Sequence, residues 1–446
     1  MEKEKGADIA YLICNVLAKV NLDLKKLRGQ GYNNCSNMAG IYNGAQANLL
    51  EKNPFALYIP CGAHSLNLAG VHAAESCGEI KTFFSNIQAL YVFFSCSPAR
   101  WKIHHEETAL SLHNLSDTRW SAHIAAVKPL VKKPREIIAS LDRTVNQFDL
   151  TANMLNQTKS LGKYFKSFES VVLLTIWYKT LQNIDNISRC LQSESITIEE
   201  VILIQLLLDD LGRIRSSWNC ILTEAKLVAG NLGFETEFKV TRTRRVKKFH
   251  EEPSNTAHYH DDTEKNFEVN IFNVAFDHII LQIQSSFNVV KKVSSQFSFI
   301  LLRSEDPSSQ DDKARQLAKF CSNDVKEDDL IGEICHFDRL KASSLFSKGN
   351  SLNFLNQIYS KGLQPIFPSI CILLCIFHTM PVAVAEGKRS FSKLKIIKNH
   401  FRATMGQERL SNLMALSIEN DLAKSLSYDE VISNFASKNA RKFYFN

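Results

Sequence analysis

The sequence predicts a mainly α-helical protein with a small α/β core near its N-terminal end, and three observations predict it. Apolar residues recur at helical spacing through most of the 446 residues. Only two short runs read as strand, near Leu27–Gly31 and Ala56–Ile59. Around the first lies RGQGYNNCSNMAG, Arg28 to Gly40, whose three glycines and three asparagines mark a turn that no regular helix or strand would choose. Strand, turn, helix, strand, helix is the grammar of an α/β core.

Taken in order, residues 1–25 read as an amphipathic helix carrying Ile9, Leu12, Ile13, Val16, Leu17 and Val20. Acids among its bases exclude a signal peptide. The second strand ends at Pro60 and Cys61, and a helical pattern from Gly78 to about Leu112 puts Phe83, Phe84, Ile87, Leu90 and Phe94 on one face. After SDTRW, Ser116 to Trp120, helices are expected over Ile137–Phe148, Lys163–Gln192 and Ile196–Ala229. Thr197 and Glu200 are spaced as a capping box ahead of VILIQLLLDDL. Periodicity breaks at Gly230–Phe238, and the basic and polar stretch that follows reads as a mobile loop. Helix resumes over Phe267–Val290, a polar loop is expected at Ser304–Lys313, and weaker helical patterns run to about Tyr359. The last block is apolar and then amphipathic, with capping-box spacing at Thr404/Gln407 and Ser427/Glu430.

Composition narrows the class. The net charge of +7 permits nucleic acid as a partner without demanding it. Eleven cysteines occur without a CxxC pair, so buried thiols in a reducing compartment are the simpler account than structural zinc. The longest apolar run, Ile366–Met380, holds Pro368 and His378 and falls short of the roughly 18 residues a membrane span needs. The expectation is a soluble intracellular protein that needs no metal and no cofactor.

Several residues stand out chemically, each with a plainer alternative. Cys61 and His64 form a C-x-x-H element at the strand-to-helix turn, and a zinc half-site there lacks a second half. His64 packing at its helix start is the plain alternative. Arg119 and Trp120 follow Asp117, and a lone Trp at a helix start is most often core. Arg242, Arg244, Arg245, Lys247 and Lys248 are dense enough to read as an import signal or a phosphate-contacting loop. His250, His258 and His260 beside Asp261 and Asp262 read as solvated rather than as a metal cluster.

Four ordered motifs, GQGYNNCSNMAG, CGAHSLNL, SDTRW and GKRSFSKLK, resemble the hAT-type transposase family. They are most similar to its domesticated branch of zinc finger MYM-type protein 1-like proteins, and the resemblance covers nearly the whole chain. It implies an RNase H-like core split by a large all-α insertion, with a C-terminal dimerisation segment. Catalysis in such cores uses divalent ions held by three carboxylates. The resemblance places the first acid on strands that would precede the N-terminal helix, so the core is expected to be truncated. The second aligns with Asn33 and the third with Lys388. An amide brings no charge to offset a dication, and a lysine repels it. Glu386 is no substitute, because two helical residues turn a side chain by about 200°.

The resemblance also implies that Cys61, His64, Arg119 and Trp120 line the cleft where DNA sits, with Arg119 and Trp120 as a guanidinium-plus-aromatic platform that stacks against it. It divides the chain into residues 1–115 (first part of the core), a helical insertion 116–362 with its loop at 230–266, and a C-terminal block 363–446. That block is expected to pair two chains through Leu410, Leu413, Met414, Ile418 and Leu422, with Ile370, Leu373, Leu374 and Phe377 adding a first stripe and Leu394, Ile397 and Phe401 a second; the plain alternative is packing under the insertion domain, which is expected of part of them. The function expected is that of a catalytically inactive, transposase-derived nuclear protein that self-associates and contacts DNA or chromatin proteins. Two alternatives stand beside it: a fragment or isoform of an active metal-dependent transposase or nuclease, and a decayed copy without a selected role. Asn33 and Lys388 weigh against the first.

Overall fold

The computed structural model describes residues 5–116, 121–193, 201–239, 263–301, 307–342, 346, 349–382, 384–399, 402 and 404–437. It divides into two compact units, Met1–Ala383 and Val384–Asn446. Mainly α is what the structure shows.

The first unit opens with helix α1 (Gly6–Lys19), shorter than the expected 1–25. Asn21 stops it by taking the left-handed conformation, φ 58°, while the Leu22 amide donates back to the Leu17 carbonyl. Its inner face packs Ala10, Ile9 and Ile13 on Leu49, whereas Leu12, Val16 and Val20 stay exposed. Gly6 is required by close approach, since a Cβ there would lie 2.2 Å from the Asn43 carbonyl oxygen.

Strands β1 (Gly29–Tyr32) and β2 (Leu57–Pro60) pair in parallel, Gly29 opposite Leu57 and Tyr32 opposite Pro60. The crossover between them holds α2 (Ser36–Ala39) and α3 (Ala45–Lys52). Both strands begin later than the sequence pattern suggests. The reason is Asn53, buried, whose amide donates to the Leu24 and Leu27 carbonyls at 2.7 and 2.8 Å and keeps that backbone out of the ladder.

Helices α4 (Gly62–Ala74), α5 (Gly78–Ser95) and α6 (Pro98–Thr108) follow. The single helical pattern read from Gly78 to Leu112 is two helices, broken where Pro98 cannot continue and Ser97 caps the Arg100 amide. Helices α7 (Ser121–Lys132), α8 (Pro134–Gln147), α9 (Ala152–Phe165), α10 (Phe168–Cys190), α11 (Val201–Arg215) and α12 (Trp218–Leu232) form a block around α10. Its Trp177 is buried against Phe84 of α5, ring centroids 5.0 Å apart. Then come α13 (Thr263–Phe267), a π-helical turn over Glu268–Asn273, and the long α14 (Val274–Leu301). α14 packs on α4 and β2, so the helices between the two halves of the expected core meet the small sheet directly. Gly62 allows this, because a Cβ there would crowd the Phe287 ring of α14 at 3.2 Å.

The stretch Ser304–Lys313 was expected as a loop, yet α15 spans Pro307–Phe320. Gln310, Ala314, Leu317 and Cys321 bury one face at helical spacing, and that packing overrides a polar local sequence. α16 (Glu327–Ala342), α17 (Ser351–Ser360) and α18 (Pro368–Thr379) complete the unit. Buried Glu333 accepts the Ser369 and Ile370 amides, both at 2.9 Å, and so neutralises the start of α18. Ile370, Leu373, Leu374 and Phe377, expected on a pairing surface, are buried in this core, with Phe377 5.0 Å from Phe297. That stripe is core because α16, α17 and the Phe297 ring of α14 supply its cover.

The second unit holds α19 (Ala385–Ile397), α20 (Gln407–Ile418), α21 (Asn420–Ser425) and α22 (Asp429–Ser437). Neither capping box expected here forms. Gly406 rather than Thr404 caps α20, and the Ser427 hydroxyl donates to Asp429 (2.7 Å) in a local turn. The Thr197/Glu200 pair lies outside the described residues.

Candidate functional site

Two places concentrate what the sequence singled out. The first is the carboxyl end of the parallel strand pair, where open α/β sheets hold their ligands. Parallel register brings the residues after Tyr32 and after Pro60 to the same end. Asn33 is exposed directly after β1, and its Oδ1 accepts the Cys35 thiol at 2.9 Å. Asn34 turns inward and donates to Ser65 Oγ at 2.9 Å, leaving its own Oδ1 buried without a partner. Cys61 is buried as the first residue of the helix turn, its amide continuing the ladder to the Tyr32 carbonyl at 3.1 Å. His64 is half-buried in the first turn of α4.

Behind this end, Tyr32 and Tyr58 stack with centroids 6.2 Å apart, and burial pushes both phenols up to about 12. Both hydroxyls therefore stay protonated near neutral pH. Hard dications want anionic oxygens, and no Asp or Glu follows either strand between Asn33 and Gly40 or between Cys61 and His72. Two neutral amides, a thiol and an imidazole do not fit the metal pair that the resembled family implies. Among the described residues no three His, Cys, Asp or Glu side chains gather where an ion could be held.

Other residues that the sequence singles out are not in this site's description. Arg119 and Trp120, Arg242, Arg244, Arg245, Lys247 and Lys248, and the His250–Asp262 group lie outside the described residues. Lys388 sits on the backbone of α19, and neither its side chain nor that of Glu386 is described.

One arrangement was missed by sequence reasoning. Arg28, at the other end of β1, makes a bidentate pair with Asp324, both contacts 2.6 Å, and adds the Lys25 carbonyl at 2.7 Å. It borders a cleft of about 1180 Å³ lined in part by Tyr359, Gln364, Cys371 and Cys375. The cleft stands at the amino end of β1, away from the strand end that the motifs mark. No spacing rule links Arg28 to Asp324 across so much chain, so nothing in the sequence announced it.

The second place is the C-terminal unit. α19 packs on α20 through half-buried Leu394 and Ile397 and buried Leu410. Lys393 locks the pair by donating to the Ser417 carbonyl at 2.5 Å, a cation at the C-terminus of α20. The five residues expected to pair two chains divide here. Leu410 is 6% exposed and therefore core, Leu413 and Met414 are half-buried, and Ile418 and Leu422 are 38% and 60% exposed. Phe391, Ile396, Leu426, Val431 and Ile432 add exposed apolar surface the sequence reading did not assign to an interface.

Comparison with known proteins meets both places. Residues 336–422 match the hAT family C-terminal dimerisation region, and residues 2–44 match the ZMYM1/FAM200 RNase-like domain. The mouse protein named 52 kDa repressor of the inhibitor of the protein kinase is 21% identical over 440 residues, 92% of this chain and 56% of its own. The human protein of that name is 19% identical over 458 residues, covering 95% and 57%. The chain thus spans a little over half the length of these curated relatives. Together these findings support a hAT-derived, domesticated protein with a C-terminal dimerisation region.

Proposed function

We propose that this hAT-derived chain is a non-catalytic regulatory protein that pairs with a second copy or a related chain through its C-terminal unit. The observation that carries the proposal is the overlap of the matched dimerisation region with α19–α21, where Phe391, Ile396, Leu416, Ile418 and Leu422 remain exposed to water. A monomer rarely leaves so many exposed aliphatic residues on four consecutive helices. Loss of chemistry is supported by Asn33 and Lys388, which stand where the resemblance implies acids. The relatives' name describes those proteins as repressors, and on this chain it supports a regulatory role in the nucleus. DNA contact, in this reading, is weak and indifferent to sequence, carried by the basic run Arg242–Lys248 and by the Arg119–Trp120 platform.

Sedimentation of the full chain at micromolar concentration tests the pairing, and a dimer is expected. A monomer throughout that range removes the proposal. The same preparation, given Mg²⁺ or Mn²⁺ and duplex DNA, should release no cleaved or joined strand above a protein-free control.

A further inference from the structure

The C-terminal unit is divided by charge as well as by fold. Residues 387–402 carry six Lys or Arg and no Asp or Glu, whereas residues 403–437 carry five acids and two bases. On α19, Phe391 and Lys395 follow at i and i+4, which puts them on one stripe, and both are exposed, as is Lys398, which caps the end of the helix. Lys395, Lys398 and Arg402 have no carboxylate partner among the described residues. At the far end, Asp421 opens α21 and Asp429 and Glu430 open α22. Between and beside these acids stand Leu422, Leu426, Val431 and Ile432, 60%, 55%, 61% and 49% exposed. No residue of α21 or α22 is buried.

Each end of the unit therefore lacks what the other offers. One presents the exposed Phe391 ring among cations, the other exposed aliphatic side chains among anions. Within one chain α19 is occupied by α20, to which Lys393 ties it, so its outer stripe and the α21–α22 surface are both left over. A second copy supplies both complements at once. Two-fold symmetry makes the contact happen twice, and a doubled helix-on-helix contact approaches the roughly 1,200–2,000 Å² of a stable interface.

We infer that the cationic stripe of α19 in one copy seats on the acidic, apolar α21–α22 surface of the other, reciprocally. This rests on the self-association proposed above and specifies its pairing. The apolar side chains supply the affinity, and the charges set the register and reject a parallel α19-on-α19 or α22-on-α22 approach. α22 lies beyond the matched dimerisation region, so the pairing extends the interface into a segment that the match does not cover.

Charge reversal in the full chain tests it. Lys395→Glu with Lys398→Glu makes one variant, and Asp421→Lys with Glu430→Lys makes the other; Asp429 is left to accept the Ser427 hydroxyl. All four side chains are exposed, so circular dichroism should show unchanged helix content. Each variant alone faces like charge twice and should dimerise about tenfold or more weakly by sedimentation at low salt. Mixed together they present opposite charges at both contacts, and the heterodimer should recover to within about threefold of wild type. A single chain carrying all four reversals should recover as well, which keeps the test valid if one variant is poorly folded. Wild-type dimers that survive either reversal, or variants that fail to rescue each other, overturn the pairing while leaving self-association standing. A monomeric wild type overturns self-association first. A short DNA duplex bound by wild type and lost only in the lysine variant, without rescue on mixing, assigns the stripe to nucleic acid and overturns it too.

Discussion

Acidification should loosen the first unit through His104. The ring is shut off from solvent, with Nδ1 3.5 Å from Ser140 Oγ, Nε2 3.3 Å from Thr108 Oγ1 and the Phe94 centroid 4.8 Å away. Both hydroxyls already donate to backbone carbonyls, Ser140 to Ile137 at 2.6 Å and Thr108 to His104 at 2.7 Å. They can accept a hydrogen bond from the ring but bring no charge to hold an imidazolium. Burial therefore lowers the His104 pKa to about 4, against an ordinary value of about 6.5. The unfolded chain takes up a proton that the folded chain refuses, so stability falls as pH drops through that window. The contribution is complete above about pH 6.5 and gone below about pH 4. A gap of about 2.5 pH units at 1.36 kcal/mol each sets a ceiling near 3 kcal/mol. Urea unfolding followed by tryptophan fluorescence reads it, and Trp101 contributes a local probe whose indole lies 6.1 Å from the His104 ring. The midpoint should fall steadily between about pH 6.5 and pH 4, and His104→Asn should be less stable near neutrality but flatter across the same window. Equal pH slopes for wild type and variant would refute the reasoning.

Three further outcomes follow from particular side chains. Leu422→Asp with Val431→Asp removes two residues about six-tenths exposed, so it should weaken dimers roughly a hundredfold with helix content unchanged, whereas Leu410→Asp, at a 6% exposed site, should melt the C-terminal unit; a dimer indifferent to the first pair would place the interface elsewhere. Glu333→Gln keeps one acceptor but sets an NH₂ group against an α18 amide, and should cost about 2–3 kcal/mol in chemical denaturation of the first unit; an unchanged midpoint would mean water takes over the cap. Neutralising Arg242, Arg244, Arg245, Lys247 and Lys248 should flatten the salt dependence of any DNA binding, and an unchanged slope would leave the run to nuclear import or to no role.

By itself the sequence determined the helical class, the Gly- and Asn-rich turn, the two strands to within two residues and the apolar block at the C-terminal end. These are local matters, set by spacing, by glycine's freedom and by the absence of carboxylates after each strand, and they were enough to question a metal site at Asn33. Only the tertiary structure decided which apolar stripes were core. Ile370, Leu373, Leu374 and Phe377 carry the same kind of helical periodicity as the residues of α20–α22, and periodicity does not say what lies opposite. α16, α17 and the Phe297 ring of α14 cover the first stripe, while Leu422 and Val431 are left in water. The same reason hid α15, whose polar sequence becomes helix because Gln310, Ala314 and Leu317 find a neighbour in α16, and hid the Arg28–Asp324 pair. Burial depends on what the rest of the chain brings to a face, and that is a property of the fold.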